Sequence, residues 1–238
     1  MVLGATGDTG KPLIRQALYL GYSVTAVVRN PIKLSIVHEN LCVVSGDIFN
    51  SEVLVSHMKG KYAVISVLGF PKEIDGPTNQ FTDSMQVILN AMKVAQIKLI
   101  ITISAWYTDP YARVGQFMFD KQWSKVPGLI NTLNNEGEME LLLNQTREDA
   151  VDFTVVRVPT LTWDPPTGRD FITADGKYWV EGGSGFLPRE DVARFMLCTL
   201  DDRQKWSRKS VAIAIKYTDE EMRTAAQRFK DHMAQYMP

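Results

Sequence analysis

Three glycines spaced Gly-x-x-Gly-x-x-Gly stand at the head of the chain, in Gly4-Ala5-Thr6-Gly7-Asp8-Thr9-Gly10. They follow the apolar run Met1-Val2-Leu3 and lead into Leu13, Ile14, Ala17 and Leu18 at helical spacing. Strand, glycine-rich turn, helix is the order in which backbone N–H groups and a helix N-terminus receive a pyrophosphate. The first glycine permits the tight turn, the second the close approach of phosphate, and the third the packing of helix on strand. A glycine triplet alone says little, and this spacing differs from Gly-x-Gly-x-x-Gly, so the flanking strand and helix carry the reading. Gly4, Thr6, Gly7, Asp8, Thr9 and Gly10 are candidate dinucleotide-binding residues. Asp8 favours the helix dipole but would sit near the pyrophosphate.

The next residues of interest select the nucleotide. A second strand, Ser23 to Val28, ends at Arg29, at the distance where a dinucleotide site reads the ribose. A site for NAD prefers Asp or Glu there, to accept from the 2′-hydroxyl. Arg29 and Lys33 instead suit a 2′-phosphate, because a guanidinium offers a planar fork of charged donors. NADP(H) is therefore the expected cofactor. Asp47 and Ile48 follow a third apolar run, and the Asp47 carboxylate either reaches the adenine amino group or helps cap the following helix. Leu68 and Gly69 end a fourth run, where a glycine lets the cofactor pass close. Ser104 ends a fifth, facing the nicotinamide position, and is the candidate catalytic residue.

What is missing narrows the chemistry. Ordinary short-chain dehydrogenases protonate a carbonyl oxygen with a Tyr whose partner Lys stands four residues on. No tyrosine of this chain has Lys at that spacing. Hydride transfer remains open to an acceptor that needs little protein acid, such as a flavin or another extended conjugated ring, with the proton from solvent or a bound group. His38, His57 and His232 fall in helix or loop patterns away from the strand ends. With two cysteines and no histidine cluster, no metal site is expected.

These residues need a scaffold, and the pattern supplies one. Apolar strand-like runs at 41–44, 62–68, 99–104 and 153–158 alternate with amphipathic stretches, including 81–95 and roughly 130–146. That alternation means βαβ units and a parallel sheet with right-handed crossovers. The rhythm breaks over 106–128, which holds Trp106, Tyr107, Tyr111, Phe117, Phe119 and Trp123, and over 159–187, rich in Pro and Gly. Both follow strand carboxyl ends, where open α/β sheets bind ligands. They are expected to form one substrate-covering layer, with Trp106, Tyr107, Phe117 and Trp123 against the acceptor; the alternative is a core beneath a long loop.

A helix begins near Pro188 and a late strand covers 211–215. Thr218-Asp219-Glu220-Glu221 reads as a capping box opening an amphipathic terminal helix through Met222, Ala226, Phe229, Met233 and Tyr236. The expected organisation is α/β: one doubly wound parallel-sheet domain over 1–217, with helix 218–238 packed on it. A monomer is expected, a dimer through the terminal helix being the alternative.

The 238 residues carry a net charge of −1, so no basic footprint argues for nucleic acid. No apolar run reaches membrane-spanning length and no signal-peptide pattern precedes the first strand, which is short. Either the chain begins there or a few residues precede it. Cys42 and Cys198 sit in apolar patterns and make no disulfide framework, which suits a reducing cytoplasm.

Taken in order, Gly4 to Gly10, Val27-Val28-Arg29-Asn30, Gly46-Asp47-Ile48, Val67-Leu68-Gly69, Thr102-Ile103-Ser104-Ala105 and Arg189 to Leu197 resemble the atypical short-chain dehydrogenases. Within them the chain looks like the NADPH-dependent flavin reductase/biliverdin-IXβ reductase branch, with NmrA-like proteins next. The resemblance spans about residues 1–200. It implies a Rossmann fold, NADP(H) on the residues above, and reduction of flavins or tetrapyrroles in an open pocket. It also implies that Ser104 and the backbone of Val158, Pro159 and Thr160 lie beside the nicotinamide. Glu136 and Thr160 stand where family histidines would line the pocket, so the acceptor does not carry over. The other readings are a non-enzymatic NADP(H) sensor of the NmrA-like type acting through a protein partner, and isomerase or dehydratase chemistry.

Overall fold

The computed structural model describes residues 1–70, 78–113 and 125–235. Phe117, Phe119, Trp123 and Tyr236 lie outside the described residues. In the first half, strands β1 (Val2–Leu3), β2 (Val24–Val28), β3 (Leu41–Ser45) and β4 (Ala63–Ser66) alternate with helices α1 (Gly10–Tyr19), α2 (Ser51–Met58) and α3 (Gln80–Ala95). In the second, β5 (Leu99–Ala105) is followed by α4 (Pro110–Arg113), α5 (Leu129–Asn144) and β6 (Asp152–Val158). Then come β7 (Thr160–Thr162), β8 (Ile172–Asp175), β9 (Phe186–Pro188), α6 (Arg189–Asp201), α7 (Arg203–Trp206), β10 (Lys209–Ala214) and α8 (Asp219–Ala234).

Eight strands form one sheet in the order β3-β2-β1-β4-β5-β6-β10-β8, parallel except for β8 against β10. The first six follow the doubly wound order of a Rossmann fold, with the chain reversing direction across the sheet between β1 and β4. Side chains alternate faces along each strand. Val2, Ile101 and Val156 enter the core beneath α1 and α6, while Leu3, Ile100 and Val155 enter the core beneath α2, α3 and α5. That is why these strands read as unbroken apolar runs: both faces are covered.

Outside the main sheet, β7 and β9 pair in parallel, Thr160 opposite Phe186. On them lies α8, whose capping box is formed: Thr218 Oγ1 accepts from Glu221 N and the Glu221 carboxylate accepts from Thr218 N. Both cysteines are exposed despite their apolar surroundings in the sequence, because Cys42 is on the edge strand β3 and Cys198 is on the outer side of α6. Among the described residues no helix is long and apolar enough to cross a membrane, and no group of three or more His, Cys, Asp or Glu could hold a metal ion.

Candidate functional site

A cleft of about 650 Å³ runs along the carboxyl ends of β1 to β6. Its wall begins at the glycine turn. Gly4 has φ +80°, and a Cβ there would lie 2.5 Å from Val67 O on the neighbouring strand end. A Cβ on Gly10 would lie 2.2 Å from Gly4 O. Both glycines are sterically required, and Gly10 serves packing without lining the cleft. Between them Gly4, Ala5, Thr6, Gly7, Asp8 and Thr9 face the cavity. This bare backbone cradle at the start of α1 has the form that a pyrophosphate requires.

Further along, Arg29 at the end of β2, Asp47 and Ile48 after β3, and Leu68 and Gly69 after β4 also line the cleft. Lys33, in an exposed 3-10 turn (Pro31–Lys33), does not. Asp47 Oδ1 accepts from Phe49 N at 3.0 Å, while the helix cap itself is Asn50, whose Oδ1 accepts from Glu52 N and Val53 N. A Cβ on Gly69 would meet nothing within 4 Å, so the space over it is open.

Ser104, Val158 and Pro159 line the inner end. The Ser104 hydroxyl donates to Glu140 Oε1 at 2.5 Å. With its one proton so engaged, Ser104 has its oxygen lone pairs left to accept from a carboxamide N–H. Glu140 is in turn held by the Arg157 guanidinium, both side chains being buried, and Arg157 stacks on Tyr178 at 3.9 Å. Register explains the meeting, since Arg157 on β6 lies directly opposite Ser104 on β5.

A second cavity, of about 450 Å³, adjoins the cleft. Trp106, Tyr107, Leu129, Leu133, Trp163, Phe229 and Met233 give it apolar walls, and Thr160 lines it rather than the cleft. Of the proposed acceptor residues, Trp106 and Tyr107 are therefore here. Ala105, Glu136, Val158, Pro159, Leu161 and Arg189 line both cavities and so mark their junction.

The sequence did not single out Trp163 or Arg189. Trp163 Nε1 donates to Asp8 Oδ2 at 2.9 Å, closing a bridge from the glycine turn to the segment after β7. The Arg189 guanidinium lies 4.1 Å above the Trp163 ring, and its buried Nη1 has no hydrogen-bond partner among the described residues. Burial lowers the Arg189 pKa, and Asp8 opposes that shift. On the other side of Trp163 lies His232, with ring centroids 3.6 Å apart. His232 is thus brought to the strand-end side of the molecule by α8, not kept away from it. The signal for Arg189 was its place in the Arg189-Glu190-Asp191-Val192 run, in which Asp191 is structural: it accepts from Thr167 N and Oγ1 and pairs with Arg194.

Glu136 Oε2 accepts from Ala105 N at 3.1 Å. Burial pushes its carboxyl up to about 8, and Glu140 one helical turn away adds to the shift.

Known proteins share this chain's family and its fold. A model of the NAD(P)H-binding family matches residues 4–203. The Bacillus subtilis protein YwnB is 24% identical over 211 residues, covering 84% of this chain and 91% of that protein. A short-chain dehydrogenase/reductase of Veillonella parvula, solved in complex with NADP, superposes with a TM-score of 0.70 at 19% identity, covering 90% of this chain and 92% of that one. A Streptococcus pneumoniae protein, provisionally assigned as an NADH-flavin reductase, superposes with a TM-score of 0.67 at 18% identity, covering 90% and 98%.

Proposed function

We propose that this chain, which belongs to the NAD(P)H-binding family, is an NADPH-dependent reductase of a conjugated acceptor of the flavin, biliverdin or quinone kind. The observation that carries the reading is the junction of a polar, glycine-cradled cleft with an aromatic cavity at the carboxyl ends of β5 and β6. A dinucleotide needs the first and a flat hydrophobic acceptor the second, and the junction is where they would meet.

The residues fit the cofactor. The turn from Gly4 to Thr9 would take the pyrophosphate, and Gly10 keeps that turn against α1. Arg29 stands where a site for NAD carries a carboxylate, and its guanidinium suits the 2′-phosphate. Asp47, Ile48, Leu68 and Gly69 would flank the adenosine half, with Ser104, Val158 and Pro159 beside the nicotinamide. When bound, the cofactor supplies hydride. The chain's own residues set the geometry: Trp106, Tyr107, Trp163 and Phe229 would wall the acceptor with apolar surface and exclude water. The lack of a Tyr–Lys acid fits an acceptor whose conjugation spreads the incoming charge.

The test is a titration with NADPH and NADH, followed in the same cuvette by FMN, biliverdin and a quinone. Preferential NADPH binding, with oxidation once acceptor is added, is the expected result. Tight NADPH binding with no oxidation by any acceptor would overturn the reductase and favour a redox sensor working through a protein partner.

A further inference from the structure

We propose that Glu136 is the proton donor of this site, its carboxyl delivering to the bound acceptor the proton that accompanies the hydride. The inference rests on the reductase reading and adds to it the residue that completes the reduction.

Position is the first argument. Glu136 lies on α5 where that helix crosses the end of β5, and it lines both the cleft and the aromatic cavity. Among the described residues, only Glu136 and Arg189 bring charge to the aromatic cavity. The hydrogen bond from Ala105 N to Oε2 fixes one carboxyl oxygen on the strand end, and no other hydrogen bond holds this cavity-lining carboxyl among the described residues.

The surrounding charges are the second argument. One turn along α5, Glu140 receives Arg157 from β6, Ser104 from β5 and Thr108. Two carboxylates stacked on one helix thus share a single facing cation, and Glu140 holds it; Glu136 forms no ion pair among the described residues. Among the described residues, the remaining groups around it do not supply one. Tyr107 follows β5, and Arg113 of α4 is spent on Tyr107 O, Thr108 O and Asn134 Oδ1. Arg189 of α6 stacks on Trp163, with Asp8 beyond it and His232 of α8 on the far side of that ring. From α3, the cleft receives Gln80. A half-buried carboxyl between apolar walls, with a like charge behind it and no cation paired to it among the described residues, holds its proton through neutrality. The upward shift to about 8 agrees.

The step balances. The acceptor receives hydride with its electron pair from the reduced nicotinamide, which is oxidised. The Glu136 O–H bond breaks, and its proton goes to the acceptor nitrogen or oxygen where charge develops. Glu136 is left as carboxylate and regains a proton from water. The acceptor has gained two electrons and two hydrogens.

Two measurements test this. In protein labelled with ¹³C at glutamate Cδ, without cofactor, one carboxyl resonance should titrate near pH 8 and be missing in Glu136→Gln. In single turnovers of NADPH with FMN, the wild-type rate constant should be level at lower pH and fall about tenfold per unit above the Glu136 pKa. Glu136→Gln should lose about 100-fold or more and become independent of pH, with NADPH affinity near wild type. If Glu136→Gln does not fold, the wild-type profile and the titration of Glu136→Asp decide. A Glu136 carboxyl titrating in the ordinary range overturns the proposal, as does oxidation at a pH-independent wild-type rate, and either leaves the reductase reading standing. Normal NADPH binding with no oxidation at any pH overturns both.

Discussion

At the scale of single residues, the site is a set of charges whose partners decide their roles. Arg29 lines the cleft with no carboxylate paired to it among the described residues. Arg29→Glu should weaken NADPH by about 1–3 kcal/mol and NADH far less, read by fluorescence titration. Equal loss for both nucleotides would remove the case for NADPH preference. Glu136 also makes a stability prediction. Its folded pKa, near 8, lies above the unfolded value of 4.5, so the folded state binds the extra proton. Its contribution is then complete below the unfolded pKa and is lost as pH rises through the folded one. Chemical denaturation should show Glu136→Gln gaining on wild type between those limits, by a few kcal/mol at most, and the gap staying level above pH 8. Arg29 was legible because its meaning depends on its position after a strand. The states of Glu136 and Glu140 were not, because identical residues four apart are told apart only by what β6 brings to them.

At the scale of elements, two glycines separate folding from binding. Gly10→Ala forces a Cβ to 2.2 Å from Gly4 O, so turn and helix must part, costing about 1–3 kcal/mol and dinucleotide binding. Gly69→Ala meets nothing within 4 Å, so thermal stability should hold. Weaker NADPH binding by Gly69→Ala would place the cofactor over that glycine, and unchanged binding would move it elsewhere. Helix α8 provides the other element test. Its Glu221 pairs with Arg169, its Arg228 with Asp164, and its His232 and Phe229 lie against Trp163. Residues 1–217 are proposed as the nucleotide-binding domain and 218–238 as a packed helix that walls the second cavity. Truncation before Thr218 should leave NADPH affinity within about threefold while raising KM for the acceptor by tenfold or more. Loss of both together would show that the helix supports the whole fold.

At the scale of the molecule, the cleft spans the strand ends from β3 to β6, so a ligand there ties both halves of the sheet together. A ligand that binds only the folded state stabilises it by about 2.7 kcal/mol at a hundred times its Kd. For a chain of this size, that should raise Tm by several degrees, at about 2–4 °C per kcal/mol. NADPH should give a larger shift than NADH at equal concentration. No shift from either nucleotide would argue against the cleft as their site.

The sequence by itself determined the sheet and the glycine turn. Those rest on local rules: apolar runs buried on both faces, glycines at a turn where a Cβ collides with a carbonyl, and a residue type at a strand end. The tertiary structure alone decided the second cavity. Trp163 meets Asp8 across 155 positions, and α8 brings His232 and Phe229 to a site that begins more than two hundred residues earlier. No periodicity reports such contacts, because they arise from where β7, β9 and α8 pack after the sheet has formed. The commitment of Ser104 to Glu140, and the lack of an ion pair for Glu136 among the described residues, follow from the same packing.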